Sequence, residues 1–236
     1  MVFFINAKLI KSRYLYACMM QTQTVQFIIL ATTKVGEKSL VLHTLSEEWG
    51  RRSFIVSISR TSAMALYLPL NVLEAEVLPN SKSELWRLRS VSAVHPLNGL
   101  RGDVRKGTVS LFMSEVLFRT IRDGANEDGL YDWCVRSVLT LDAMQDSFAN
   151  FHLRWLLELA AALGFSPSAE DLAPFAGQHL GKLRELLKRD FADCMLLPMT
   201  GAERNEVAEL LLRYISHHTE SAINVRSLAV LRELYA

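Results

Sequence analysis

The chain has 236 residues, of which 50% are hydrophobic and 22% charged, with a net charge of +1. This can bury a sizeable core, as one domain or two small ones, and it excludes a disordered acidic or basic tail protein. No apolar run reaches the ~20 residues of a membrane-spanning helix, and near-neutrality leaves nucleic-acid binding to basic side chains gathered on one face. The balance shifts along the chain: residues 1–19 hold three basic and no acidic residues, 20–100 eight against six, and 101–236 fifteen against nineteen.

Cys18, Cys134 and Cys194 are far apart and odd in number, with neither a CxxC pair nor zinc spacing, so they read as buried reduced thiols of a cytoplasmic protein and no metal is expected. Residues 1–19 form an N-terminal extension. Its charges, Lys8, Lys11 and Arg13, follow the apolar stretch, so it fails as a signal peptide. It reads as an upstream extension before a true start at Met19 or Met20, or as a basic amphipathic arm.

From Val25 to about Val91 the hydrophobic period is near 2. Val25, Phe27, Ile29 and Ala31 alternate with Gln26, Ile28 and Leu30 in a half or fully buried strand. Lys34–Glu37 is a turn, Ser39–Leu45 a second strand, Ser46–Gly50 a connection and Ser53–Ser59 a third strand. A loop through Arg60 leads to strands over Leu70–Leu78 and Leu85–Val91, separated by Pro79-Asn80-Ser81. Five short strands punctuated by turns suit a small closed barrel, which places one domain at 20–100.

Gly99, Gly102 and Gly107 mark a junction, after which the period is near 3.6. The spacing predicts helices over 108–122 behind Asp103, over 130–141 behind Asp128 as N-cap, and over 147–163, ended by Gly164. Residues 165–180 read as loop and 181–192 as a short helix. Thr200 and Glu203 form a capping box, and Asn224 is the expected cap of the last helix. The fold class is therefore α+β, with a β-barrel followed by an all-helical domain at 101–236.

Catalytic patterns are missing. There is no Walker A, GxGxxG, GxSxG or HExxH sequence. His217-His218 reads as a solvated helix end and His152 as a packed flank of its helix. Glu47 and Glu48, adjacent on an extended chain, point to opposite faces. Binding has better candidates. An OB barrel holds strands through a basic groove and aromatic stacking, and Arg51, Arg52, Arg60, Lys82, Arg87 and Arg89, joined by Arg101, Arg105 and Lys106 at the junction, are the basic candidates. Arg87 and Arg89 share one strand face. Trp49 and Trp86 are stacking platforms or core.

The segments VGEKSLVLHTLSEEWGRRSFIV (35–56), LPLNVLEAEV (68–77), SEVLFRTIRDGANEDGLYDW (114–133), NFHLRWLLELAAALGFSP (150–167), ERNEVAELLLRYISHH (203–218) and VRSLAVLRELY (225–235) occur in the order of the RecO family of bacterial recombination mediators, which the chain resembles over about 24–236. The resemblance is to its zinc-free branch, since 165–198 holds only Cys194 where many members carry four zinc-binding cysteines. It implies an OB-fold packed on a helical domain and no enzymatic activity. It also implies binding and annealing of single- and double-stranded DNA, and partnership with RecR and single-strand binding protein (SSB) in loading RecA. The acidic, apolar-ended SSB tail needs an apolar groove beside a cation. Phe151 and Trp155, one turn apart, with Arg154 on the flank and Arg119 and Arg122 nearby, are the expected site; the competing reading puts both aromatics in the core. A generic OB-fold adaptor, or a hydrolase or transferase with an unrecognised site, are the other readings of the sequence.

Overall fold

The computed structural model describes residues 23–58, 64–80 and 82–234. The expected start at Met19 or Met20, Cys18 and Arg60 lie outside the described residues. Five strands, β1 (Gln23–Val35), β2 (Ser39–Ser46), β3 (Gly50–Ser57), β4 (Val72–Leu78) and β5 (Trp86–Ala93), close in the order β1-β2-β3-β5-β4. All pairings are antiparallel except β3 with β5, which is parallel and spans only Phe54–Val56 against Trp86–Leu88. This is the closed barrel of an OB fold, followed by a helical region.

The alternation in β1 explains how barrel and helices join. Val25, Phe27 and Ile29 point into the barrel, where they meet Leu42, Phe54 and Leu73. Ile28 and Leu30 point outward and are equally buried, in the core of the helical half. Successive strand residues face opposite sides, so an uninterrupted apolar run serves two cores at once.

The helices are α1 (Asn98–Gly102), α2 (Val104–Thr120), α3 (Leu130–Ala143), α4 (Phe151–Ala162), α5 (Ala169–Ala176), α6 (Leu180–Lys188), α7 (Phe191–Met195), α8 (Gly201–Thr219) and α9 (Ser227–Leu234). Asp103 caps α2 by accepting from Arg105 N at 2.8 Å, and the Thr200–Glu203 box opens α8 as the sequence implies. Three expectations need correcting. Residues 165–180 are not loop throughout, because Ser168 and Asp171 form a second capping box that starts α5 despite Pro174 inside it. Gly129, not Asp128, precedes α3, without a side-chain cap. The last helix is capped from another element: the Glu115 carboxylate on α2 accepts from Arg226 N, Ser227 N and Ser227 Oγ at 3.1, 2.9 and 2.8 Å.

The α6–α7 lobe is held by two side chains at the start of α4. Asn150 donates to the carbonyls of Cys194 (3.0 Å), Met195 (3.4 Å) and Leu197 (2.8 Å). Arg154 donates to those of Leu186 (3.1 Å) and Arg189 (3.3 Å) at the end of α6, carbonyls that the Cys194 thiol also reaches. Cys134 and Cys194 are free and buried, and burial pushes both thiols up. Among the described residues no three His, Cys, Asp or Glu side chains gather as a metal site, and no helix is long and apolar enough to cross a membrane.

Candidate nucleic-acid interface

The parallel β3–β5 pairing is short because β5 turns away after Leu88. Ser90 adopts a left-handed backbone (φ 54°), and the β4–β5 register slips between Glu74 and Glu76, so Ser90 and Val91 form a bulge. Such bulges bend a strand and re-aim its side chains, and a non-glycine residue at positive φ is a local strain that tends to sit at functional sites. Here the bulge opens a cleft of about 400 Å³ along the seam, lined among others by Ser39, Ser57, Arg87, Arg89 and Ser90.

Arg87 and Arg89 flank the buried Leu88 and are both exposed, so they do share a face. Arg87 has no partner among the described residues, whereas Arg89 holds Glu76 at 2.6 Å. Lys82, exposed in the loop before β5, also has a free ammonium among those residues; its main-chain N–H bonds Asn80 Oδ1. Two lysines not picked out from the sequence belong to this end of the barrel. Exposed Lys34 and Lys38 bracket the β1–β2 turn, and the Lys38 carbonyl accepts from Ile58 N at 2.9 Å, beside Ser39 in the cleft wall. Their signal was present in K-V-G-E-K, which reads first as turn chemistry.

The other basic candidates lie elsewhere. Arg51 is only 8% exposed. Its guanidinium sits 4.5 Å from the Phe118 ring centroid, donates to the carbonyls of Phe118 (2.5 Å) and Ile121, and pairs with Asp123 at 3.0 Å. It closes the C-terminal end of α2, and where it borders the recess between barrel and helices its charge is already matched by Asp123. Lys106, 4% exposed, donates to the carbonyls of Asp142 (2.9 Å) and Met144 at the end of α3. Arg101 ties α1 to the barrel through Pro69 O (2.7 Å) and Asn71 Oδ1 (2.6 Å). Arg105 pairs with Asp103 at 2.8 Å over the Phe148 ring. Of the junction residues Lys106 is buried in a structural role, while Arg101 and Arg105 stay exposed with part of their hydrogen bonding met within the protein. Arg52, half-buried, lies with its guanidinium carbon 3.6 Å from the Trp86 centroid.

The expected groove for an acidic tail does not form. Phe151 and Trp155 are each 2% exposed; Phe151 meets Phe191 edge-on, and Trp155 stacks on Trp133 at 5.8 Å. Arg154 serves α6 and pairs with Glu158 at 2.7 Å. Arg119 pairs with Glu115, and Arg122 with Thr219 O and Glu220. The two aromatics follow the ordinary logic of large apolar groups on an amphipathic helix, which face inward.

His152, 1% exposed against Phe112, and His43, bonded to Thr33 and Ser53, are both pushed down by burial. Among the described residues neither ring is hydrogen-bonded to a carboxylate, the group that orients the histidine of a hydrolytic triad; the His43 partners are the hydroxyls of Thr33 and Ser53.

An OB barrel with an opened, arginine-bearing seam, fused to a helical domain, defines a class of oligonucleotide-handling folds. Residues 20–97 match the family described as Recombination protein O N terminal, and residues 101–173 the one described as Recombination protein O C terminal. The chain belongs to the RecO family. It is similar to the DNA repair protein RecO of Phocaeicola vulgatus (27% identity, 89% of this chain and 97% of the relative) and to that of Bacteroides fragilis (28%, 88% and 97%). The DNA repair protein RecO of Flavobacterium psychrophilum is 27% identical, over 92% of this chain and 100% of the relative.

Proposed function

We propose that this protein is a non-enzymatic DNA-binding factor of recombinational repair, acting in the cytoplasm. It binds single- and double-stranded DNA, anneals complementary strands and, with RecR, helps load RecA on SSB-coated DNA. The observation that carries the reading is the exposed Arg87–Arg89 pair at the opened β3–β5 seam, on a fold whose relatives bear the name DNA repair protein RecO. Cations along such a seam hold backbone phosphates without reading sequence, which is what an annealing factor requires. With a net charge of +1, attraction is confined to the seam, and the affinity falls steeply with salt.

A second reading, an OB-fold adaptor that binds protein rather than nucleic acid, is favoured by one feature. Many of the chain's arginines are occupied internally, Arg51 and Arg101 among them. A labelled single strand and a duplex, titrated at 50 and 200 mM salt (roughly the range over which phosphate contacts weaken) and followed by a strand-annealing assay, separate the two. Binding to both that falls as salt rises, with accelerated annealing, is expected for the repair factor. Salt-insensitive or absent binding, with RecR still captured, favours the adaptor.

A further inference from the structure

A second recess, of about 590 Å³, lies where the β3 side of the barrel meets the segment after α2. It is lined by Trp49, Arg52, Ser53 and Glu84 from the barrel and by Asp123 and Gly124 from the helical half. That volume falls within the roughly 300–1,000 Å³ of small-molecule sites. Trp49 stands edge-to-face with Trp86 at 5.5 Å, and the guanidinium carbon of Arg52, which lines the recess, sits over the Trp86 ring at 3.6 Å from its centroid.

We propose that this recess receives one unpaired nucleobase of a bound single strand, stacked against the Trp49–Trp86 pair in the place Arg52 now occupies. The proposal rests on the DNA-binding reading above and adds a base-dependent contact to a backbone-dependent one. A planar guanidinium on an indole is the protein's own stand-in for a stacked base, since each offers a flat, polarisable face to the ring.

Three observations favour this occupant. Apart from the Trp86 face, the Arg52 guanidinium has a single hydrogen bond among the described residues, a 3.5 Å contact to Glu84 O, and its Nε is shielded from water without a partner. Leaving an N–H in that state costs stability, so moving out to a backbone phosphate favours Arg52. The recess is also without excess positive charge. Arg51 is matched by Asp123 at 3.0 Å, and with Arg52 moved out only the Glu84 charge remains, so the recess offers an anion no attraction while the indole faces suit a neutral ring. Its floor is fixed, too: Arg51 N donates to Ala125 O at 2.8 Å and Gly124 N to Arg51 O at 2.9 Å. A preorganised wall lowers the cost of binding. Bases inside a duplex are sandwiched between neighbours and cannot enter, so the site takes single strands.

The test compares an oligothymidylate with an abasic strand of equal length, which carries the same phosphates and no bases. The wild-type protein is expected to bind the thymidylate about 5- to 150-fold more tightly, the range of one stacked base. Trp86→Leu is expected to bring that ratio close to one while leaving the salt dependence unchanged. Equal binding of the two strands by the wild type overturns the subsite alone, as does a ratio that survives Trp86→Leu. Failure of both strands to bind overturns the DNA-binding reading and the subsite with it. Because Trp86 also packs against the barrel core, a second measurement uses the unaltered protein. A strand carrying 5-iodouracil is expected to crosslink on irradiation to Trp49 or Trp86, and crosslinks found only elsewhere, for example at Tyr67 by the seam, overturn the proposal.

Discussion

The guanidinium of Arg51 donates to the main-chain oxygen of Phe118 at 2.5 Å, joining β3 of the barrel to the last turn of α2 across 67 residues of sequence. A helix ends with unsatisfied carbonyls and a partial negative charge, and a buried arginine answers both. Burial lowers the Arg51 pKa, and the charge of Asp123 works against that shift.

Arg51→Ala is therefore expected to cost about 1–3 kcal/mol of stability, since it leaves the carbonyls of Phe118 and Ile121 shielded and unpaired. Chemical denaturation measures the loss. The salt dependence of DNA binding by the folded variant should stay at the wild-type slope, because Arg51 faces the helices. A flattened slope would return it to the groove.

Gly50 is the second fixed point of this joint. Its φ is +57°, and a Cβ there would stand 2.0 Å from Ala125 O. Gly50→Ala thus adds a backbone collision to the roughly 1–2 kcal/mol of a left-handed non-glycine residue. It is expected to separate barrel from helices, seen as new protease cleavage near 120–126. A cleavage pattern like the wild type would mean the segment tolerates displacement.

Much of this was legible in the sequence, and the failures have physical causes. The period-2 run through Val25, Phe27 and Ile29 marked one face, but the interleaved Ile28 and Leu30 left half and full burial both open, because what covers the second face comes from helices far along the chain. Asp103 and the Thr200–Glu203 box could be read because a cap and its acceptor are local. Glu115 capping Ser227 could not, because its partner lies 112 residues away. Pro174 concealed α5, although Ser168-x-x-Asp171 was visible as a box. In the site, Arg87 and Arg89 followed from strand alternation. Arg51 and Lys106 did not follow, because long basic side chains look alike in sequence whether they reach solvent or a buried helix end.

At the seam, Arg89 is restrained by Glu76, and Arg87, unpaired among the described residues, is placed to reach an anion. Arg87→Ala is expected to weaken single-strand binding and to reduce the slope of log affinity on log salt by about 0.7, the share of one phosphate contact. Glu76→Gln should act oppositely, releasing Arg89 and removing a like charge from the path of the strand, so that affinity rises. Tighter binding by Glu76→Gln together with weaker binding by Arg87→Ala supports the seam. No change in either variant would place the strand elsewhere.

His152 lies in the helical core, edge-on to Phe112 at 5.9 Å, with its Nδ1 unpartnered among the described residues. Burial pushes its pKa down to about 3, and the charge of Arg204 adds to the shift, while a main-chain hydrogen bond to Ala149 opposes it. In the unfolded chain the ring titrates near 6.5. Between these values the unfolded state binds a proton that the folded state refuses, so stability increases with pH and is lost as pH falls below about 6.5, by up to ~1.4 kcal/mol per unit. From pH 7.5 to pH 5 the loss from His152 is about 2 kcal/mol. Burial lowers the His43 pKa as well, so it adds to the same slope. The carboxylates of Asp103, Glu115, Asp171 and Glu203 are held below their ordinary range and titrate under this window. His152→Phe, which keeps an aromatic ring against Phe112 and cannot take a proton, should therefore flatten the stability curve between pH 5 and pH 7.5 by about 2 kcal/mol. Urea denaturation of both proteins across that range decides it. Parallel curves would mean that His152 is protonated in the folded protein and that the core around Phe112 admits water.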